Sequence, residues 1–194
     1  MIDITKGVEF LNSYTELTEE HVQLLLEISE FKTVKAGTQL IKMNEVPTKV
    51  YMIFSGQIRC YMITESGKEY NKSFYLPISV IGHLTALIDK KPSSFVFETL
   101  SDCEVFEMNY CKFIEKSKND IALKNLYIKV IEKFYGFYEN RLIELISLNA
   151  TDRYLELRKQ IPEVDKIIPQ YHIASYLGIT PVQLSRIRKK LDLV

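Results

Sequence analysis

Apolar residues change their period twice along this chain. Between residues 31 and 109 they fall in short runs rich in Val, Ile, Tyr, Phe and Thr, broken by Gly37, Asn44, Pro47, Gly56, Gly67, Pro77 and Gly82. Such runs bounded by turn formers predict β-strands, and their even spacing predicts a roll or barrel. Residues 50–54 and 57–63 flank Ser55-Gly56 and predict a tight hairpin. Glu65-Ser-Gly67 predicts a second hairpin, and residues 95–99 and 104–108 add two later strands. Ahead of this region, residues 17–28 follow a helical spacing, with Thr18 as cap and acids in the first turn. From 119 to about 147 the pattern is helical again, without proline and with Gly136 as its one glycine. Leu123, Leu126, Val130, Phe134, Phe137 and Leu145 form its stripe, widened by Ile131, Tyr138 and Leu142. A helix this apolar is either a core helix or a seam between two subunits, and the seam reading is preferred. Arg141 and Glu144 interrupt the stripe, so a regular coiled coil is not expected.

The last stretch, from Gln170 to Leu191, reads as a helix-turn-helix. Ala174 is small where two helices would cross, and Gly178, four residues on, can take the left-handed conformation that ends a helix. Ile173, Leu177, Ile179, Leu184 and Ile187 supply the clamp between the helices. Thr180 caps the second helix, Pro181 suits its first turn, and Gln183 completes a capping box. At about 100° per residue, Leu184, Ile187 and Leu191 make one buried stripe. Val182, Arg186 and Lys189 then face outward, flanked by Gln183, Ser185 and Lys190. A cationic, hydrogen-bonding helix face fits the major groove of DNA. Arg186 suits guanine O6 and N7, Gln183 suits adenine, and Val182 suits a thymine methyl. Ser185, Arg188, Lys189 and Lys190 read as phosphate contacts, and Thr180 and Pro181 complete the expected interface. A solvated basic helix is the plainer account of the charges alone, but it does not require Ala174, Gly178 and Thr180 in register.

Charge sharpens this picture. The 194 residues carry 25 Lys/Arg and 25 Asp/Glu. Residues 149–194 hold eight of the cations and five of the acids, a net of +3, which leaves −3 for residues 1–148. Basic charge concentrates where the helix-turn-helix lies, as expected of an electrostatic footprint. With 46% hydrophobic residues and no run approaching a membrane span or a signal segment, a cytoplasmic protein is expected, without a membrane partner. Cys60, Cys103 and Cys111 are too dispersed for a disulfide framework or a C-x-x-C zinc site and read as free thiols.

The order helix, β-roll, long helix, helix-turn-helix resembles the Crp/Fnr family of transcriptional regulators over nearly the whole chain. The resemblance rests on Lys35-Ala-Gly37-Thr-Gln-Leu-Ile41, Val50-Tyr-Met-Ile-Phe-Ser-Gly56-Gln-Ile-Arg-Cys-Tyr-Met62, Gly67-Lys-Glu69, Leu76-Pro77, Ile81-Gly82 and the helix-turn-helix. It implies an α+β fold with a cyclic-nucleotide-binding-like, cupin-like β-roll over residues 1–118, a dimerisation helix over 119–148 and a DNA-binding domain over 149–194. It also implies a homodimer paired through Leu126, Val130, Phe134, Phe137 and Leu145, a palindromic double-stranded operator, and RNA polymerase as a further partner.

Departures from the family pattern concern the sensor. Where a cyclic-nucleotide pocket has Phe-Gly-Glu-Leu, this chain has Ile81-Gly82-His83-Leu84, and Ser93 of Lys90-Lys-Pro-Ser-Ser94 stands at or near the position of the phosphate-binding Arg. Losing both the sugar acceptor and the cation leaves polar ligand groups unpaired, so cAMP binding is not expected. Gly82, His83, Leu84, Ser93 and Ser94 are kept as candidate effector contacts. His83 suits either a ligand-responsive group or a structural histidine, and Ile78 in place of a usual glycine implies a reshaped loop. Three scattered cysteines do not make the four-cysteine iron–sulfur site of oxygen-sensing members, and His83 alone is slender support for haem. No cofactor, metal or catalytic residue is predicted, and the effector is left unidentified. An enzyme of the cupin type would need several histidines converging in the roll, whereas His83 is the one histidine between 31 and 109. The rival function is an effector-binding or protein-docking module without a DNA role, which would expose a broad apolar patch instead of Arg186, Lys189 and Lys190. Family members also carry a β-wing after the recognition helix. Here Leu191-Asp-Leu-Val194 follows it, so a wing is expected to be absent or to precede the helix pair at Ile167-Ile168-Pro169, with affinity leaning on Arg188, Lys189, Lys190 and the dimer.

Overall fold

The computed structural model describes residues 4–191, so the chain beyond Leu191, where the wing was in question, lies outside the described residues. In chain order the elements are α1 (Thr5–Asn12), α2 (Glu19–Glu27), β1 (Ser29–Val34), β2 (Gln39–Ile41), β3 (Lys49–Ser55), β4 (Ile58–Ile63), β5 (Glu69–Tyr75), β6 (Ser79–Ile81), α3 (Leu84–Asp89), β7 (Val96–Thr99), β8 (Cys103–Asn109), α4 (Tyr110–Ser117), α5 (Ile121–Ser147), α6 (Ala150–Gln160), α7 (Val164–Ile167), α8 (Gln170–Leu177) and α9 (Pro181–Leu191). This is the α+β class expected. The chain divides into two compact units, residues 1–59 with 74–135, and residues 60–73 with 136–194. Among the described residues, no helix is long and apolar enough to cross a membrane.

Strands form two four-stranded sheets, in the orders β1-β8-β3-β6 and β2-β7-β4-β5. In the first, β3 pairs antiparallel with β8 from Lys49 opposite Asn109 to Ser55 opposite Glu104. The Ser55-Gly56 hairpin expected from sequence is therefore corrected: β3 and β4 lie in different sheets, and the chain crosses between them at this point. Gly56 has φ +86°, and a Cβ there would sit 2.4 Å from Cys103 Sγ and 2.5 Å from the Asp102 carbonyl. The crossing is pinned to the β7–β8 turn by Gln57 N–H donating to Ser101 Oγ at 3.1 Å. Glycine is needed here twice over, for its torsion and for its missing side chain. Gly56→Ala is expected to lower stability by roughly 2–4 kcal/mol in urea denaturation, and a loss under about 1 kcal/mol would count against this account. The second hairpin is as expected, with Thr64 N–H donating to the Lys68 carbonyl at 3.0 Å across the Glu65-Ser-Gly67 turn.

Ile53, Ile58, Val96, Phe97 and Val105 are almost wholly buried between strands. Thr18 caps α2, and His21 stands in the capping box where Glu or Gln is usual, receiving the Thr18 N–H on Nδ1 at 3.0 Å. The other ring nitrogen of His21 lies 3.0 Å from Asp120 Oδ2. Asp120 also accepts the Leu123 N–H at 2.9 Å, and this bond, followed by His21, holds its carboxyl below the ordinary value. In the same unit Leu25, Phe113, Leu123 and Leu126 form a buried apolar cluster.

The second unit is built on Tyr154, Leu157, Val164, Ile168, Ile173, Leu177 and Leu184, all buried. Asn149 caps α6, accepting from Thr151 N–H at 2.9 Å and Asp152 N–H at 3.1 Å. The short strand expected at 167–169 is corrected to the helical turn α7, closed by Ile167 N–H to the Glu163 carbonyl at 3.1 Å. Residues 60–73 belong to this unit through Asn71, whose N–H donates to Ser175 Oγ at 3.0 Å and whose amide lies 3.2 Å from His172 Nδ1. Ser175 Oγ in turn donates to the Glu69 carbonyl at 3.1 Å. Arg153 ties together two helix ends, donating to the Leu148 carbonyl at 2.6 Å and the Leu177 carbonyl at 3.0 Å, where helix dipoles favour a cation.

Candidate nucleic-acid interface

Local chemistry sets the helix-turn-helix. α8 ends on Gly178 at φ 71°, and the Ile179 N–H reaches back to the Ala174 carbonyl at 3.0 Å, a left-handed C-cap. Two residues later the chain enters α9 through a reciprocal cap, in which Thr180 N–H donates to Gln183 Oε1 at 2.8 Å and Gln183 N–H donates to Thr180 Oγ1 at 3.2 Å. Gln170 Nε2 donates to the Pro181 carbonyl at 3.0 Å and ties the helices at their starts. Ile173, Ala174, Leu177 and Leu184 are fully buried between them. Thr180, Pro181, Val182, Gln183, Ser185, Arg186, Lys189 and Lys190 are exposed on the far side of the turn and α9.

Arg188 has another position. Its Nε donates to Tyr154 Oη at 3.1 Å and a second nitrogen pairs with Asp165 Oδ1. Tyr154 donates to Asp165 Oδ2 at 2.6 Å, and burial first, then that acceptor, raises its phenol above the ordinary value. The guanidinium expected at a phosphate is thus committed within the unit, where it fixes α9 against α6. Tyr171, which sequence reasoning passed over, stands beside the candidate interface. It is 60% exposed and, with Gln170, Pro181, Val182, Ser185 and Arg186, borders an open depression at the start of α9. Its spacing from buried Ile173, Ala174 and Leu177 was the available signal.

In the first unit, His83 immediately precedes α3, and its Nδ1 lies 2.8 Å from Ser93 Oγ. Ser93 is buried, and its hydroxyl donates to the Phe95 carbonyl at 2.7 Å while accepting the Phe95 N–H at 3.1 Å. With the hydroxyl proton so placed, His83 Nδ1 is the donor of the pair. The Phe95 ring stands edge-on to the imidazole at 5.2 Å. Gly82 lies close against Val50, Leu84 is half-buried, and Ser94 is exposed. The structure therefore joins His83 and Ser93 but leaves Ser94 apart. Arg59 and Glu98, which the sequence reading passed over, form a nearly buried pair at 2.8 Å in this unit. A charged residue inside the apolar run at 58–63 was the signal. Cys60 and Cys103 are buried and Cys111 is exposed, and burial pushes the Cys60 thiol up to about 12.

Residues 31–120 match the cyclic nucleotide-binding domain family. Over 173 residues, covering 82% of this chain and 66% of its relative, the sequence is 27% identical to the anaerobic regulatory protein of Aggregatibacter actinomycetemcomitans. The chain spans about two thirds of the length of such curated relatives. Its fold is shared with FixK2 from Bradyrhizobium japonicum, at 18% identity, TM-score 0.72 and coverage of 86% and 85% of the two chains. It is shared equally with a structure from Eubacterium rectale described as a transcriptional regulator of the crp/fnr family, at 14% identity, TM-score 0.71 and coverage of 91% and 84%. The chain is thus similar to regulatory proteins of the Crp/Fnr type in sequence and in fold.

The long helix α5 has an outward stripe that differs from the one expected. Leu126 is consumed in the cluster with Leu25, Phe113 and Leu123, and Val130 packs against that cluster. Phe134 is half-buried beside Leu84 and Leu87, while Phe137 and Leu145 are exposed. The row most exposed along the helix is Ile121, Ile128, Tyr135 and Leu142, spaced seven apart. Three residues after the last three of these come Ile131, Tyr138 and Leu145, which completes an alternating three-and-four pattern. Arg141 and Glu144 do not interrupt this row. They turn to the other side, where Arg141 Nη1 donates to Glu144 at 2.8 Å and Nη2 to the Tyr176 carbonyl at 2.6 Å.

Proposed function

We propose that this regulator binds palindromic double-stranded DNA as a homodimer, presenting α9 to the major groove and pairing through the Ile121, Ile128, Tyr135, Leu142 row of α5. The observation that carries the reading is the exposed start and basic face of α9, held by the Thr180–Gln183 cap above the fully buried Leu184. Arg186 reads a base, Lys189 and Lys190 hold phosphates, Val182 and Tyr171 offer apolar contacts, and Arg188 positions the helix. The cap engages the carbonyl end of Gln183 and leaves its amide end to donate, which suits one bond to a purine N7 in place of the two-bond adenine pair. Two half-sites about one helical turn apart, roughly 34 Å, are expected. RNA polymerase as a partner, a cytoplasmic location and action by binding in place of catalysis are what the resemblance to Crp/Fnr-type regulators supports. In the sensor region Ser93 stands near the place of the phosphate-binding Arg and is already bonded to His83 and Phe95, which argues against cAMP as the effector. Absence of heat on titrating cAMP into the protein is the expected result.

Mobility shifts with fragments selected from the source genome test the DNA reading and yield the operator. Arg186→Ala is expected to lose about 1–3 kcal/mol of preference at one base position, whereas Lys189→Ala weakens all sequences alike and flattens the salt dependence. Equal losses on operator and random DNA for Arg186→Ala would remove its assigned role.

A further inference from the structure

We infer that the first unit contains a binding site for a small uncharged apolar molecule, separate from the sensor cassette and lying between α1, α2, α5 and the first sheet. Two cavities adjoin there, of about 100 Å³ and about 80 Å³. Val8, Val22, Leu26, Phe54 and Phe106 wall the larger, and Leu84, Leu87, Phe113 and Phe134 wall the smaller. Leu11, Val50, Val80, Met108 and Leu126 border both.

The chemistry of the walls selects the guest. Among the described residues, no charged side chain lines either space. The polar side chains that do are already engaged: Ser29 Oγ donates to the Leu25 carbonyl at 2.7 Å, Tyr51 Oη to the Leu40 carbonyl at 2.9 Å, and the Tyr110 and Tyr127 hydroxyls bond each other at 2.8 Å. A charged or strongly hydrogen-bonding guest would be left unpaired. Size sets a second limit, because an apolar cavity of roughly 150 Å³ admits benzene, whereas drug-sized ligands need about 300 Å³ or more. A short alkyl chain fits the larger space alone, an aromatic ring fits by taking up the two adjoining spaces together, and a nucleotide does not fit.

Loose docking of α1 does not explain the space. Gly7 seats that helix directly on Phe54, so closely that a Cβ would lie 2.6 Å from the ring. An unfilled space next to so tight a contact forfeits dispersion along its walls. Met52 and Met108 in those walls can reshape around a guest.

The test uses the full chain with benzene as probe and benzoate as its charged counterpart, followed by saturation-transfer NMR and thermal unfolding. Benzene is expected to bind saturably and, at ten times its dissociation constant, to raise the unfolding midpoint by about 3–6 °C, while benzoate does neither. Val8→Phe fills the larger cavity and should weaken benzene at least tenfold at unchanged far-UV circular dichroism. Val8→Leu, a smaller intrusion, should weaken it less and serves if Val8→Phe does not fold. No saturable benzene binding, equal binding of benzoate, or wild-type affinity in the folded variants overturns the site. Because Leu126 belongs to α5, a guest would press on the helix that bears the pairing row. That extension rests on the proposed function, and a guest that binds without changing operator affinity refutes it while leaving the site intact.

Discussion

Placing aspartate at both Ile128 and Leu142 is expected to convert the proposed dimer to monomers at micromolar concentration, read as a halved mass by light scattering. Both side chains are large, apolar and more than half or half exposed, at 56% and 50% for Leu142 and Ile128. They sit on the same outward row of α5, fourteen residues apart. In the pairing proposed, each carboxylate would meet its symmetry mate in an apolar seam. Burial of an unpaired charge costs several kcal/mol after relaxation, and each 1.4 kcal/mol is tenfold in the association constant. The double variant should therefore weaken the dimer by about three orders of magnitude or more. Neither residue is buried in the described chain, so the monomer's fold should be unaffected. Operator affinity should fall by a further 10²–10⁴, because the second half-site loses its effective concentration. An unchanged mass with native circular dichroism would falsify the seam.

Removing the Arg141 guanidinium is expected to destabilise the C-terminal unit by about 3 kcal/mol. Its side chain and that of Glu144 are 11% and 13% exposed, so the pair is buried in the functional sense. The guanidinium also lies 3.8 Å from the Tyr176 ring centre and donates to the Tyr176 carbonyl. Breaking a buried pair typically costs about 3–5 kcal/mol because the remaining charge is stranded. Glu144 keeps one donor, Gln160 Nε2 at 2.8 Å, which places Arg141→Ala at the lower end. Arg141→Lys should recover little, since an ammonium cannot serve ring, carbonyl and carboxylate with one planar fork. The measurement is the denaturant midpoint, and a loss below about 1 kcal/mol in Arg141→Ala contradicts the assignment. The neighbouring Tyr176 phenol, pushed up to about 12 chiefly by burial, stays neutral across the accessible pH range and adds no pH dependence of its own there.

How far the sequence revealed this molecule depends on how local each signal was. The helix-turn-helix was legible because its determinants act within a few residues of one another: Gly178 on the end of α8, and Thr180 with Gln183 on the start of α9. Strand positions were legible for the same reason. Strand partners were not, because Ser55-Gly56 gives the same local signal whether the chain doubles back or crosses to another sheet. Only its fit against Asp102 and Cys103, distant in sequence, decides the matter. The outward stripe of α5 was hidden by its composition. A helix apolar on nearly all sides has no phase that spacing can detect, and Leu126 and Ile128 look equivalent until one meets Leu25 and Phe113. Arg141 and Arg188 were misjudged for a related reason. Each is a cation on an amphipathic helix, and its acceptor lies elsewhere, on Tyr176 for one and on Asp165 for the other.

The hydrogen bonds from Asn71 to Ser175 and His172 bear on whether the reading head can be cut out and used by itself. A truncated gene product starting near residue 149 would strip away the strand that satisfies the Ser175 hydroxyl and covers His172, opening a polar scar on the flank of α8. Swapping this head onto another sensor would then demand that the donor hairpin travel with it, so the two halves of such a protein are constrained to evolve as a matched set.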